Sequence, residues 1–419
     1  MKKNCTLIAL MILFANFVAC SDEESMKEEI DSIEIDSFHV SLDDALKSAD
    51  EFFSQISSTG TRATSSRSVE SVSRIALLSG TRSGVGAGVD GNFYLVNYED
   101  DKGFALLSSD KRLPAIYAIS DTGSMYIQDT IDNKPLAMFF QSVKYSVAAT
   151  NANPHTYTWE DFHNYKFIAG AQVPPLLSFG ARRFGQENPY NIYCLKNGDA
   201  MPAGCTAVAT AQIMSYYKWP KKVSFNGSNV NLIWSSIGNG LGKESVAKFL
   251  ARLGESDLLD IDYQPNGSGA NSSNIRQTFE KLGYLKPDPF KSFSESQAIA
   301  ILNNAKNKVK GSGPLLMSSK MYRLGVEEGH AWVIDGYAKN VTDTINSGTM
   351  LNQTGTYFHC VWGKNNGRAN GYFLWSSPTI GGENPSAIDG NDFWSDLSFV
   401  GYEFQHYDLK YMTNFIVSK

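Results

Sequence analysis

The chain predicts an α+β fold, a helical part followed by a mainly antiparallel sheet, with a smaller α+β module ahead of both. Three observations carry this. Gly204–Met214, rich in small and apolar residues and closing at Trp219-Pro220, reads as one helix. From Pro314 onward, short stretches rich in β-branched and aromatic residues replace helical spacing. Earlier, Asn92–Tyr98 and Gly103–Ser108 read as two strands of a hairpin across Glu99-Asp100-Asp101-Lys102. At 419 residues the chain is long enough for two domains and a sizeable core. Its 19% charged and 42% hydrophobic residues are a globular composition, and a net charge of −6 gives no support for nucleic-acid binding.

Residues 1–20 read as a targeting segment. Lys2 and Lys3 form a basic start, and Leu7–Phe17 is an apolar stretch too short to span a bilayer. The segment ends in Phe17-Val18-Ala19-Cys20, which resembles a bacterial lipobox with Cys20 as the lipidated residue. Phe17 departs from the usual leucine, so plain secretion with cleavage nearby is the alternative. An acyl chain on Cys20 would be the membrane attachment, with no spanning helix. Ser21-Asp22-Glu23-Glu24 reads either as an acidic tag placing a lipoprotein on the outer surface or as a solvated linker.

The module that follows is expected over residues 21–160. Ser41 caps a helix in which Leu42, Ala45, Leu46, Ala49, Phe53 and Ile56 keep helical spacing. Residues 57–91, rich in Ser, Thr, Arg and Gly, read as loop with one short ordered piece near Arg74–Leu78. Arg62, Arg67, Arg74 and Arg82 make that stretch basic and open to proteolysis. After the hairpin, Ala115–Ser120 continues a sheet and Lys134–Ala149 reads as an amphipathic helix. None of these elements carries chemistry.

A polar stretch over 151–170 marks the boundary, and the second domain is expected over 161–419. Arg183–Asn191 is turn-rich. The Gly204–Trp219 helix leads to a loop region reaching about residue 240, then helices near 244–253, 273–282 and 294–309. Strands are expected at Pro314–Met317, Gly329–Tyr337, Tyr357–Trp362, Gly371–Leu374 and Met412–Val417.

Cysteine and histidine usage narrows the chemistry. Five cysteines include Cys5 and Cys20 in the leader, leaving Cys194, Cys205 and Cys360 without a CxxC pair. A disulfide scaffold and a structural metal site are therefore not expected. Cys205 opens the helix, where the dipole and unpaired N–H groups favour a thiolate, and Gly204 leaves its sulfur uncrowded. A small buried cysteine packed like alanine is the other reading. Of six histidines, only His330 follows a glycine in an apolar strand, with Trp332 and Ile334 on its face. It reads as a core histidine or, with Cys205, as the base of a thiolate–imidazolium pair. Gln186 reads as a loop glutamine or as a neutral donor to an oxyanion.

Gln186-Glu187-Asn188-Pro189-Tyr190-Asn191, Gly204-Cys205 with Ala209–Met214, Asp262-Tyr263 with Gly267–Ser273, and Gly329–Gly336 run in one order over about residues 173–375. In these motifs the chain resembles the streptopain-type cysteine proteases of the papain superfamily. Residues 38–150 resemble that family's propeptide, most clearly at Gly103–Asp110. The resemblance implies a papain-like fold and hydrolysis of protein or peptide substrates, with Cys205 as nucleophile and His330 as general base and acid. It implies an oxyanion hole from Gln186 and the Cys205 N–H, and Trp362 shielding His330. Gly204 adjoins the nucleophile, and Gly329 and the Ser272 loop line the substrate cleft. The propeptide covers that cleft as an intramolecular inhibitor, and no metal or organic cofactor is needed. The expected location is outside the inner membrane, as an outer-membrane or surface lipoprotein or released after processing.

Two departures stand out. Val361-Trp362-Gly363-Lys364-Asn365-Asn366 replaces the family's Asn-Trp-Gly-Trp-Gly-Gly, removing the polar group that orients the histidine, for which Asn365 is a substitute. Phe184 stands where tryptophan is common. The competing expectations are a surface lipoprotein that keeps the fold as a binding or inhibitory module, and an acyltransferase using the same pair.

Overall fold

A computed structural model of the chain describes residues 39–57, 67–76, 92–110, 113–120, 122–127, 136, 139, 140, 143, 169–323, 326–340, 355–364, 367–375 and 405–418. The leader with Cys20 and most of the expected boundary stretch lie outside these residues.

Helix α1 (Leu42–Ser57) starts where the capping pattern places it. Ser41 Oγ accepts from the Asp44 N–H at 3.2 Å and donates to the Asp44 carboxylate at 2.8 Å, satisfying an N–H that a helix start otherwise leaves open. Its apolar face, with Ala45, Ala49, Phe52 and Phe53 buried, packs on an antiparallel meander. The meander consists of β1 (Val69–Ala76), β2 (Asn92–Tyr98), β3 (Phe104–Ser108) and β4 (Ile116–Ser120). Strand β1 begins five residues before the short ordered piece expected at Arg74. Every residue of β3 and β4 is buried, so these strands are continuous apolar runs because both sheet faces are covered. Of the helix expected over 134–149, Leu136, Phe139, Phe140 and Val143 are described; all are helical and buried, the spacing of one helix face.

The second half opens with β5 (Ala169–Val173), the single turn α2 (Phe179–Arg182) and the hairpin β6 (Leu195–Lys196) and β7 (Asp199–Ala200). Helix α3 (Cys205–Tyr217) follows and is buried on all sides from Thr206 to Met214, which explains its lack of a polar face. Its stop comes before Pro220: Lys218 adopts a left-handed conformation (φ 54°) and its N–H reaches the Met214 and Ser215 carbonyls. The region expected as loop contains the hairpin β8 (Lys222–Phe225) and β9 (Ser228–Asn231), then α4 (Trp234–Gly238). Helices α5 (Lys243–Leu253) and α6 (Ser272–Lys281), short strands β10 (Tyr284–Leu285) and β11 (Lys291–Ser292), and α7 (Glu295–Lys306) complete the helical part.

The strands then run β12 (Leu315–Arg323), β13 (Val326–Asn340), β14 (Gly355–Val361), β15 (Gly371–Leu374), β16 (Gln405–Met412) and β17 (Ile416–Val417). The stretch expected as one strand over 412–417 is thus divided, with Asn414 at φ 66° in the break. Among the described residues an 11-stranded sheet has the order β1-β2-β3-β4-β15-β14-β13-β12-β16-β11, with β5 also on β13. The expected α+β arrangement is present, and one sheet runs from the N-terminal meander into the second half. The join is β4 on β15, with Ile119 opposite Tyr372 and Ala118 opposite Phe373.

Two apolar clusters cover the faces of the sheet. Ala331, Val333 and Val361 pack with α3 and α5, whereas Trp332, Ile334, Trp362 and Phe373 pack with Phe52, Phe104 and Phe139 of the N-terminal module. Alternate residues of β13 divide between the clusters, as the two-residue period of a strand requires.

Candidate active site

Cys205 is the first residue of α3, and Gly204 is its N-cap, with φ 87° and no side-chain cap on the open N–H groups. A Cβ on Gly204 would lie 3.1 Å from the Ser268 carbonyl and 3.2 Å from Ile261 Cδ1. Only glycine both adopts that φ freely and lets the 262–271 loop come so close to the helix start. Cys205 is partly exposed, whereas the other free cysteines described, Cys194 and Cys360, are buried. Burial pushes the Cys194 thiol up to about 11. Burial, reinforced by the Asp335 carboxylate, pushes Cys360 well above the usual thiol range. Both therefore stay protonated at neutral pH.

His330 lies on β13 directly opposite Ser319 of β12 and is 7% exposed. Its Nε2 is 3.3 Å from the Trp362 carbonyl, and its ring stacks beside Trp332 with centroids 6.1 Å apart. Trp362 is itself fixed. Its N–H donates to Asn370 Oδ1 at 2.9 Å, its Nε1–H to the Ala369 carbonyl at 3.1 Å, and its ring packs on Phe373 at 4.9 Å. At Gly363 a Cβ would come within 2.8 Å of Val208 Cγ1, one turn into α3. The loop holding His330 is thus pressed onto the helix that starts with Cys205. Cys205 Sγ makes a 4.0 Å contact with Thr206 Oγ1, and among the described residues no hydrogen bond joins Sγ to the His330 ring.

Gln186 is buried, and its backbone is held from both sides. Its N–H donates to the Glu187 carboxylate at 3.1 Å, and its carbonyl accepts from the Ala203 N–H at 2.9 Å, two residues before Cys205. Its side-chain Nε2 is buried without a hydrogen-bond partner among the described residues. A buried donor without a partner is costly, about 1–3 kcal/mol, and calls for an explanation. Phe184 fills the place where tryptophan was expected, buried against Tyr190 at 5.8 Å.

The segment after Trp362 is tied to the Gln186 loop at two points. Lys364 Nζ lies 2.9 Å from Glu187 Oε1, and Asn370 Nδ2 donates to the Arg182 carbonyl at 2.7 Å. Asn365, the expected substitute for the missing orienting group, lies outside the described residues; the Trp362 carbonyl is a partner of the ring. Gly329 and Ser272 are both exposed, Gly329 next to His330 and Ser272 opening α6 behind the Asn271 cap.

A second histidine, His359, is engaged structurally. Its Nδ1 is 2.6 Å from Asp335 Oδ1, and both side chains are buried. Asp335 occupies a bulge in β13 between Ile334 and Gly336, and its other oxygen accepts from the Leu177 N–H at 2.9 Å. This anchors the chain running from β5 toward Gln186. In the sequence Asp335 stands out only as part of a motif; its partners are residues far apart in the chain.

Family comparison agrees with this division. Residues 184–373 match the peptidase C10 family, and residues 37–147 match the Spi protease inhibitor family. Streptopain of Streptococcus pyogenes is 25% identical over 344 residues, which cover 71% of this chain and 76% of the relative. Among solved structures, a prointerpain A fragment of Prevotella intermedia is 17% identical with a TM-score of 0.45, covering 78% of this chain and 96% of the fragment. Active interpain A of the same organism is 20% identical with a TM-score of 0.36, covering 60% of this chain and 97% of the interpain chain. The chain thus carries a stretch matching peptidase family C10 preceded by one matching the Spi protease inhibitor family, the arrangement of a streptopain-type cysteine protease with its propeptide.

Proposed function

We propose that the chain is the zymogen of a secreted cysteine endopeptidase with Cys205 as nucleophile, His330 as general base and acid, and Gln186 in the oxyanion hole. The observation that carries this is the Gln186 amide. It is buried, has no partner, and is fixed through Ala203 to the start of the helix that presents Cys205. Its unused donor fits the negative charge that develops on a carbonyl oxygen only during reaction.

In the proposed reaction the Cys205 thiolate forms a C–S bond to the scissile carbonyl carbon. The electron pair moves to the carbonyl oxygen, which accepts hydrogen bonds from Gln186 Nε2 and the Cys205 N–H. Collapse breaks the C–N bond while His330 protonates the leaving amine. His330 then takes a proton from water, whose oxygen displaces the thiolate from the acyl group. The Trp362 carbonyl takes the place of the missing orienting side chain by holding His330 Nε2, and the Trp362 ring shields the histidine. Gly329, Ser272 and Gly204 line the cleft. No metal or organic cofactor enters the reaction.

Residues 21–160 form the propeptide and 161–419 the catalytic domain, with 1–20 as a signal whose Cys20 is lipidated and tethers the precursor to the outer membrane or cell surface. A chain that kept the fold only for binding would not need a reactive thiol. Alkylating the trypsin-nicked chain with iodoacetamide at pH 7.5 and mapping the adducts tests this. Selective labelling of Cys205, leaving Cys194 and Cys360 unmodified, is expected; Cys205 no more reactive than a free thiol overturns the assignment.

A further inference from the structure

We propose that the Lys364–Glu187 ion pair is a positioning device for the oxyanion hole, coupling the His330 loop to the Gln186 amide. This rests on the cysteine-peptidase reading above. Lys364 stands two residues after Trp362, where a second tryptophan was expected, and its 2.9 Å contact joins segments 177 residues apart. Glu187 uses both carboxylate oxygens: Oε1 faces Lys364 Nζ, and Oε2 accepts the Gln186 N–H at 3.1 Å. The Glu187 carbonyl also accepts from the Tyr190 N–H at 2.8 Å, so the residue sits in a closed turn. The chain of contacts is therefore continuous. It runs from the Trp362 carbonyl on His330, through Lys364 and Glu187, to the Gln186 backbone, and from the Gln186 carbonyl to Ala203 beside Gly204 and Cys205.

The charge of Lys364 holds the Glu187 carboxylate in the rotamer that caps the Gln186 N–H. The Lys364 side chain is 18% exposed and that of Glu187 37%, so the pair adds little to folding. Its effect lies in geometry. A carboxylate released to solvent leaves the Gln186 N–H without its acceptor and lets the adjacent side chain drift. Displacement of about 1 Å in a catalytic group costs up to about 10²-fold in rate. The pair thus acts on turnover through Gln186, not on substrate or on Cys205 itself.

The test uses the full chain, self-processed under reducing conditions or nicked with trypsin, and a peptidyl aminocoumarin substrate. Lys364→Met, Glu187→Gln, their double variant and the reversed pair Lys364→Glu with Glu187→Lys are compared. Each single variant is expected to lower kcat about 10- to 100-fold at near-constant KM. Iodoacetamide alkylation of Cys205, which needs no oxyanion hole, should stay within about twofold of wild type and also shows that the variants are folded. The double variant should be no slower than either single, and the reversed pair should recover most of the loss. Unchanged kcat in the singles, fully multiplicative losses in the double, or an equal fall in alkylation rate overturns the proposal. A wild type that cleaves nothing after trypsin refutes the peptidase reading and the coupling together, whereas active variants alongside an active wild type refute the coupling alone.

Discussion

Among the described residues, the Gln186 side-chain N–H₂ is one of the buried polar groups at this site without a hydrogen-bond partner. Replacing Gln186 with alanine removes a donor that makes no hydrogen bond among the described residues, so Tm should fall little, while kcat should drop about 10²–10³-fold. Thermal unfolding and peptide hydrolysis measured on the same sample check both halves. Cys205, His330 and Gln186 stood out as candidates in the sequence because each is a chemically unusual residue placed by glycine or turn signals on an otherwise apolar or irregular stretch. The Trp362 carbonyl was not legible, since every residue carries a carbonyl and only the fold aims this one at His330 Nε2. Lys364 appeared in the sequence as a lost tryptophan; its gain, the Glu187 contact, needed the tertiary structure.

At the scale of elements, β13 carries His330 at one end and the buried Asp335 near its middle. Asp335→Ala leaves His359 Nδ1 and the Leu177 N–H facing an apolar interior, so unfolding in urea should show a loss of about 2–5 kcal/mol. Trp362→Ala, emptying a site packed by Trp332 and Phe373, should cost about 3–5 kcal/mol by the same assay. Helix α3 was readable from its small and apolar residues closed by Pro220, and strand β13 from its alternation of faces. The β8–β9 hairpin was missed although Asn226-Gly227, both at positive φ, is the two-residue turn signal. The β10–β17 pairing joins Tyr284 to Val417, and no local pattern specifies so distant a partner.

Across the whole molecule, the N-terminal module adds its strands to the sheet of the second half and its aromatic side chains to the core behind Trp362. Phe139 packs on Phe373 at 4.9 Å, and Phe373 in turn packs on Trp362 at 4.9 Å. The Tyr357 hydroxyl donates to the Ile116 carbonyl at 2.8 Å across the join. Gly371 sits at the closest approach, where a Cβ would meet the Ile119 carbonyl at 2.7 Å and Ser120 Cβ at 2.8 Å. Gly371→Ala should destabilise the full chain by about 1–3 kcal/mol and speed loss of the module, read as a lower urea midpoint and faster processing on a gel. The sequence pointed to the two halves but not to their shared sheet, because strand pairing between β4 and β15 is set by register and shape.

The most direct measurement is intact mass over time for the leaderless wild type and Cys205→Ala under reducing conditions. The expected result is loss of about 15–17 kDa, a domain-sized piece, from wild type while the variant stays whole. Processing of both proteins at the same rate, or casein left uncut by the wild type even after trypsin nicking, would contradict a Cys205-dependent zymogen.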